Sequence, residues 1–119
     1  MKKRIKTFEE ACSVEGLYPK TVLPYSNPQT KDEMSINAYA SLIIICRVLN
    51  EGWSPDWNNS SEYKYYPWFR MSGLGLSFHV CAHTDSFTSV GSRLCFKSYD
   101  LAEYAGKQFQ SVYQSYLSK

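Results

Sequence analysis

A chain of 119 residues has the length of one domain with one hydrophobic core. Its composition, 44% hydrophobic and 16% aromatic with ten tyrosines, excludes an intrinsically disordered polymer. The net charge of +2 is uneven: four of the thirteen cations (Lys2, Lys3, Arg4, Lys6) open the chain, and the remaining nine face eleven acids, leaving the rest at −2. Such a body gives little support to duplex-DNA binding, which scales with the phosphates neutralised.

Residues 1–6 read as a flexible basic tail. Thr7, Phe8, Glu9 and Glu10 follow, with no apolar stretch of the kind a secretory signal needs. The longest apolar run, Leu42 to Cys46, is far too short to span a bilayer. The sequence therefore predicts a cytoplasmic protein with no membrane partner. Cys12, Cys46, Cys81 and Cys95 have no CxxC spacing and are expected as free thiols.

Thr7 and Glu10 fit a capping box, so a short helix should run to about Glu15 and stop at Gly16. The stretch "LYPKTVLPYSNPQ" (17–29) holds three of the five prolines and reads as a connector with Leu17, Val22 and Leu23 as buried anchors. Thr30 to Glu33 repeats the box. Behind it Met34, Ala38, Leu42, Ile45 and Leu49 mark one stripe of a helix over 31–50, which Ile43, Ile44 and Val48 widen almost all round. That pattern belongs to a helix covered on two faces, ended by Asn50 and Gly52. In "GWSPDWNNSS" (52–61) turn-formers surround Trp53 and Trp57, rings that must dock on the core or on a partner.

Strands are expected near 65–71, 76–83 and 92–97, with Ser72-Gly73-Leu74-Gly75 turning the first hairpin and a loop over 85–91. Ser98 caps a last helix running to about Leu117, with Leu101, Ala105, Phe109, Val112 and Tyr116 on its buried stripe. Gly106 inside it implies a close approach. The expected fold is a single α+β domain: a small antiparallel sheet of two or three strands, packed against two long helices (31–50 and 99–117) and flanked by a short N-terminal helix.

Three surfaces carry candidate chemistry. In "HVCAHTD" (79–85), strand alternation sets His79, Cys81, His83 and Asp85 on one face, the first three with metal-ligand spacing. The neighbouring strand would place Arg93 and Lys97 on that face, where cations oppose a metal; no third or fourth ligand with outer support is evident. A thiol nucleophile, Cys81 or Cys95 with His79 or His83, lacks an orienting acid or an oxyanion loop. The third surface is "EYKYYPWFR" (62–70). Alternation puts Tyr65, Pro67 and Phe69 on one face and Tyr66, Trp68 and Arg70 on the other. If Tyr66, Trp68 and Arg70 share a face with His79, His83, Arg93 and Lys97, the sheet shows rings among cations, the mixture used by single-stranded nucleic-acid platforms. The competing reading covers that face with residues 17–29 and the Trp53–Trp57 loop.

The phrases "LNEGWSPDWNNSSEYKYYPWF" (49–69), "VGSRLCFKS" (90–98) and "LAEYAGKQF" (101–109) resemble a group of small uncharacterised proteins encoded by gut Bacteroidetes, their phages and mobile elements. The likeness runs from about Ser35 onward and is weaker over 72–89. It brings no catalytic residue, cofactor or activity. It implies a cytosolic accessory protein of phage-related origin, and it leaves "HVCAHTD" outside the group's recurrent phrases.

The leading expectation is a non-enzymatic interaction module. It would bind a protein partner, or a second copy of itself, through an aromatic surface that includes Trp53, Trp57, Tyr66 and Trp68, with Arg70, Arg93 and Lys97 nearby. Single-stranded nucleic acid is the second expectation, and a metal-dependent or thiol enzyme the third.

Overall fold

The computed structural model describes residues 4–118. Local sequence signals set most of its elements. In α1 (Phe8–Glu15) the Thr7 hydroxyl accepts from the Glu10 amide, and Gly16 ends the helix at φ 69°. The reciprocal half of the cap differs from the expected box: Glu10 reaches one residue further back, to the Lys6 amide at 2.9 Å. The proline-rich connector holds one short turn of helix, α2 (Pro19–Val22). Asn37 clamps the connector onto the next helix by exchanging two hydrogen bonds with the Tyr25 backbone.

The long helix α3 (Lys31–Asn50) opens on a complete capping box, Thr30 with Glu33. Leu42, Ile44, Ile45, Cys46 and Leu49 are buried along it, so it is covered on more than one side as its wide apolar stripe requires. α1 packs on one flank, and the C-terminal helices pack on another. Its end is sharper than a lone glycine would make it. Glu51 (φ 50°) and Gly52 (φ 88°) both take the left-handed conformation, and the side chain of Asn50 turns inward.

The sheet is a two-stranded antiparallel hairpin, β1 (Lys64–Ser72) and β2 (Gly75–Thr84). The third strand expected over 92–97 contracts to a single bridge. Tyr65 and Phe96 exchange both backbone hydrogen bonds, at 3.0 and 2.7 Å. The reason lies in the next pairs: Leu94 would face Pro67, which has no N–H to donate, and in the other direction Ser98 caps the helix that follows. Asn50 holds the opposite backbone edge, its amide donating to the Cys95 carbonyl and its oxygen accepting from the Lys97 amide. Leu94, Cys95 and Phe96 are consequently all buried in succession, and the alternation that would have split them between two faces is absent.

The helix expected over 99–117 is also corrected. It breaks into α4 (Tyr99–Gln108) and α5 (Gln110–Leu117) at Phe109, whose ψ of 28° departs from helical geometry. The kink lets Phe109 stay in the core while Gln110 turns toward the sheet. There the Gln110 amide donates to the Leu76 carbonyl and accepts from the Phe78 amide, so one side chain substitutes for a missing strand on part of the β2 edge. Gly106 of α4 meets the hairpin directly. A Cβ there would lie 2.7 Å from both Pro67 Cβ and Phe78 Cδ1, so only glycine permits this packing.

The expected loose tail does not extend to residues 4–6. Ile5 belongs to the hydrophobic core, its carbonyl accepts from the Tyr104 hydroxyl, and the Lys6 carbonyl accepts from Gln108. Residues 1–3 lie outside the described part.

Candidate functional site

The two faces of the hairpin follow from its register. Tyr65 pairs with His83, Pro67 with Cys81, and Tyr66 with Ala82. Paired residues share a face, so Tyr65, Pro67, Phe69, Cys81 and His83 point toward the helices, while Tyr66, Trp68, Arg70 and Ala82 point away. The division of β1 agrees with the sequence expectation. That of β2 does not, because of one extra residue. Trp68 pairs with Val80 and Phe69 with Phe78, leaving His79 as the bulged residue between. The bulge reverses the phase of β2: Phe78 remains on the inner face, Val80 and Ala82 move to the outer one, and Cys81 and His83 move inward.

This overturns the one-face arrangement of His79, Cys81 and His83. His79 lies beside the Trp68 ring, centroids 6.5 Å apart. His83 stacks on Tyr63 at 4.3 Å in a group of rings that includes Tyr65, with Tyr99 packed edge-on to Tyr65. Cys81 points at the carbonyl of Tyr99. Among the described residues no group of three or more His, Cys, Asp or Glu side chains is arranged to hold a metal ion. The thiols are unsuited to nucleophilic attack. Burial raises the Cys81 and Cys95 pKa values to about 11 and pushes Cys46 higher still. At neutral pH all three hold their protons, and a protonated thiol is a poor nucleophile.

The outer face is closed at one end and open at the other. At the closed end Lys64 is fully buried, donating to the carbonyls of Asn59 and Asp85 and lying 3.6 Å from the Glu62 carboxylate. Trp57 covers this lysine, and its indole N–H donates to Ser92 Oγ at 2.6 Å. The Trp57 loop therefore does cover part of the sheet, as the packing alternative required, and Trp57 is a structural residue. Trp53 is half-buried just past the end of α3. Residues 17–29 follow a different course, held against α3 through Tyr25 and Asn37.

At the open end Trp68 is 59% exposed, a high value for a tryptophan within a paired strand. Tyr66, Val80 and Ala82 lie half-buried beside it, with Arg70 and His79 exposed. At the hairpin tip Leu74 is completely exposed, and Met71, also exposed, pairs with buried Leu76 on the side of Phe69. These two were missed in the sequence, although a leucine between two turn glycines was a legible signal: nothing in a tight turn needs an apolar side chain. The expected cations do not assemble around the rings. Lys97 lines a groove at the end of α3, and Arg93 is exposed on the segment across β1 from β2. Of these three expected cations, Arg70 alone stands on the ring-bearing face.

Among the described residues no helix is long and apolar enough to cross a membrane. No protein-family model, no curated protein and no solved structure matches this chain, so what it does must be argued from the hairpin itself.

Proposed function

We propose that the protein is a non-enzymatic interaction module that docks a protein partner on the distal half of its hairpin. The observation carrying this reading is the exposure of Trp68 among half-buried Tyr66, Val80 and Ala82 on the face turned away from the helices. Isolated exposed apolar residues are ordinary; an exposed tryptophan set among Tyr66, Val80 and Ala82 on one sheet face is a patch. Tryptophan is enriched at interfaces, and a ring flanked by half-buried neighbours is the usual form of an anchor. The surrounding rigidity supports the same reading. The bulge, the Gly106 contact and the Gln110 bridge fix the hairpin on α4 and α5, so little ordering entropy opposes docking.

The separation of Arg93 and Lys97 from the rings leaves the nucleic-acid alternative with little geometric support. Sedimentation velocity and fluorescence anisotropy with a single-stranded oligonucleotide at low salt separate the classes. The proposal expects a monomer with no salt-dependent oligonucleotide affinity. A concentration-dependent dimer lost on Trp68→Ala would make a second copy the partner. Salt-dependent oligonucleotide binding lost on the same change would replace the protein partner with nucleic acid.

A further inference from the structure

A second surface lies away from the hairpin's outer face, where the first described residues, the end of α1, the end of α3 and the start of α4 converge. They enclose a groove of about 1060 Å³, at the upper end of the roughly 300–1,000 Å³ typical of small-molecule sites. Its floor is apolar, formed by buried Ile5, Leu49 and Leu101. One wall continues that surface outward through half-buried Leu17 and Val48 to exposed Val14.

The charges are unevenly placed around this bed. Arg47 on the apolar side is neutralised by Glu15, which it grips with two nitrogens at 2.7–3.0 Å. Glu51, the other acid on the groove, is itself engaged. Arg4 and Lys97, on the α4 side, are exposed, and among the described residues neither forms an ion pair. Arg4 lies over the Tyr104 ring, its centroid 5.1 Å from the guanidinium, which fixes the charge without satisfying it.

We propose that this groove binds a small anionic amphiphile, a carboxylate carried on an apolar body. The carboxylate would lie between Arg4 and Lys97, and the body along Leu17, Val48 and Val14 over the floor. A neutral molecule of the same shape gains only the apolar half of this arrangement, and a cationic one is opposed by it. The site needs no residue of the hairpin's outer face, so it stands or falls independently of the docking proposal.

Calorimetric titration of the full chain with sodium dodecanoate and with dodecyltrimethylammonium, both below their micelle concentrations, tests it. Dodecanoate should bind one to one and at least tenfold more tightly than the cationic amphiphile. Arg4→Gln with Lys97→Gln should erase that preference. Val14→Asp, at an exposed position where folding is retained, should weaken dodecanoate severalfold, and Lys20→Gln on α2 should change nothing. Equal affinity for the two amphiphiles, or undiminished dodecanoate binding in the double variant, would overturn the proposal. So would the absence of saturable binding. Co-sedimentation with phosphatidylglycerol vesicles in that last case would assign the two cations to a membrane surface instead.

Discussion

Lys64 Nζ lies 5.2 Å from the centroid of the Trp57 ring, and the two side chains lock the 53–62 loop over the closed end of the hairpin. The ammonium has carbonyls, a carboxylate and a π-face around it, so its burial is compensated. Lys64→Met keeps the aliphatic stem but strands the carbonyls of Asn59 and Asp85. It should cost about 2 kcal/mol, read as a lower urea midpoint with an unchanged slope. Trp57→Phe keeps a ring over the lysine and loses the bond to Ser92, for about 1 kcal/mol.

Gly106→Ala is predicted to destabilise the fold although alanine is the better helix former. Propensity favours alanine by about 1 kcal/mol, but the new methyl would stand 2.7 Å from Pro67 Cβ and from Phe78 Cδ1. Proline on a paired strand cannot move aside, and overpacking costs about 1–3 kcal/mol. The net loss should appear as a lower Tm; a rise would mean that the hairpin lies further from α4 than described.

Gln110→Ala should expose the β2 edge at Leu76 and Phe78. Amide hydrogen exchange at Phe78 is expected to accelerate about fivefold, as follows from losing one hydrogen bond of about 1 kcal/mol. Gln110→Glu should not rescue it fully, because the carboxylate accepts from the Phe78 amide but cannot donate to the Leu76 carbonyl.

The thiols give a stability profile with a definite sign. Cys81 and Cys95 have folded pKa values raised to about 11 from the ordinary thiol value of 9.0, mainly by burial. Between those limits the unfolded chain has released protons that the folded chain retains. The contribution of these groups is therefore complete below pH 9.0 and is lost as pH rises toward 11. Urea titrations across this window should show stability falling with pH, with a shallower slope in Cys81→Ala and in Cys95→Ala than in the parent. Comparing slopes separates this effect from the packing lost in each variant.

What the sequence made legible was what neighbouring residues decide. The caps at Thr7, Thr30 and Ser98, the Gly16 stop, the wide apolar stripe of α3 and the two faces of β1 all depend on spacing within a few positions. What escaped depended on contacts between distant residues. The bulge at His79 reverses the phase of β2 while leaving its composition strand-like, and it lies between Phe78, packed on Gly106 and held by Gln110, and Val80 opposite Trp68. The break at Phe109 and the truncated 92–97 strand have the same origin: Gln110 reaches the backbone of Leu76 and Phe78, and Pro67 has no N–H to offer Leu94. The candidate site was therefore half readable: Tyr66, Trp68 and Arg70 were placed on one outer face, whereas the dispersal of Cys81, His83, Arg93 and Lys97 required the register and the Asn50 clamp.

The central claim is that Trp68 serves a partner and not the fold. Its most direct test is quantitative capture from lysate of the cells that natively express the chain, comparing the parent with Trp68→Ala and with Arg93→Ala. Exposure of most of the ring predicts that Trp68→Ala costs no more than about 1 kcal/mol, the worth of its cross-strand pair with Val80. It should nevertheless reduce at least one specifically retained protein tenfold or more, while Arg93→Ala retains it. Identical capture by the parent and a fully folded Trp68→Ala variant would contradict the account.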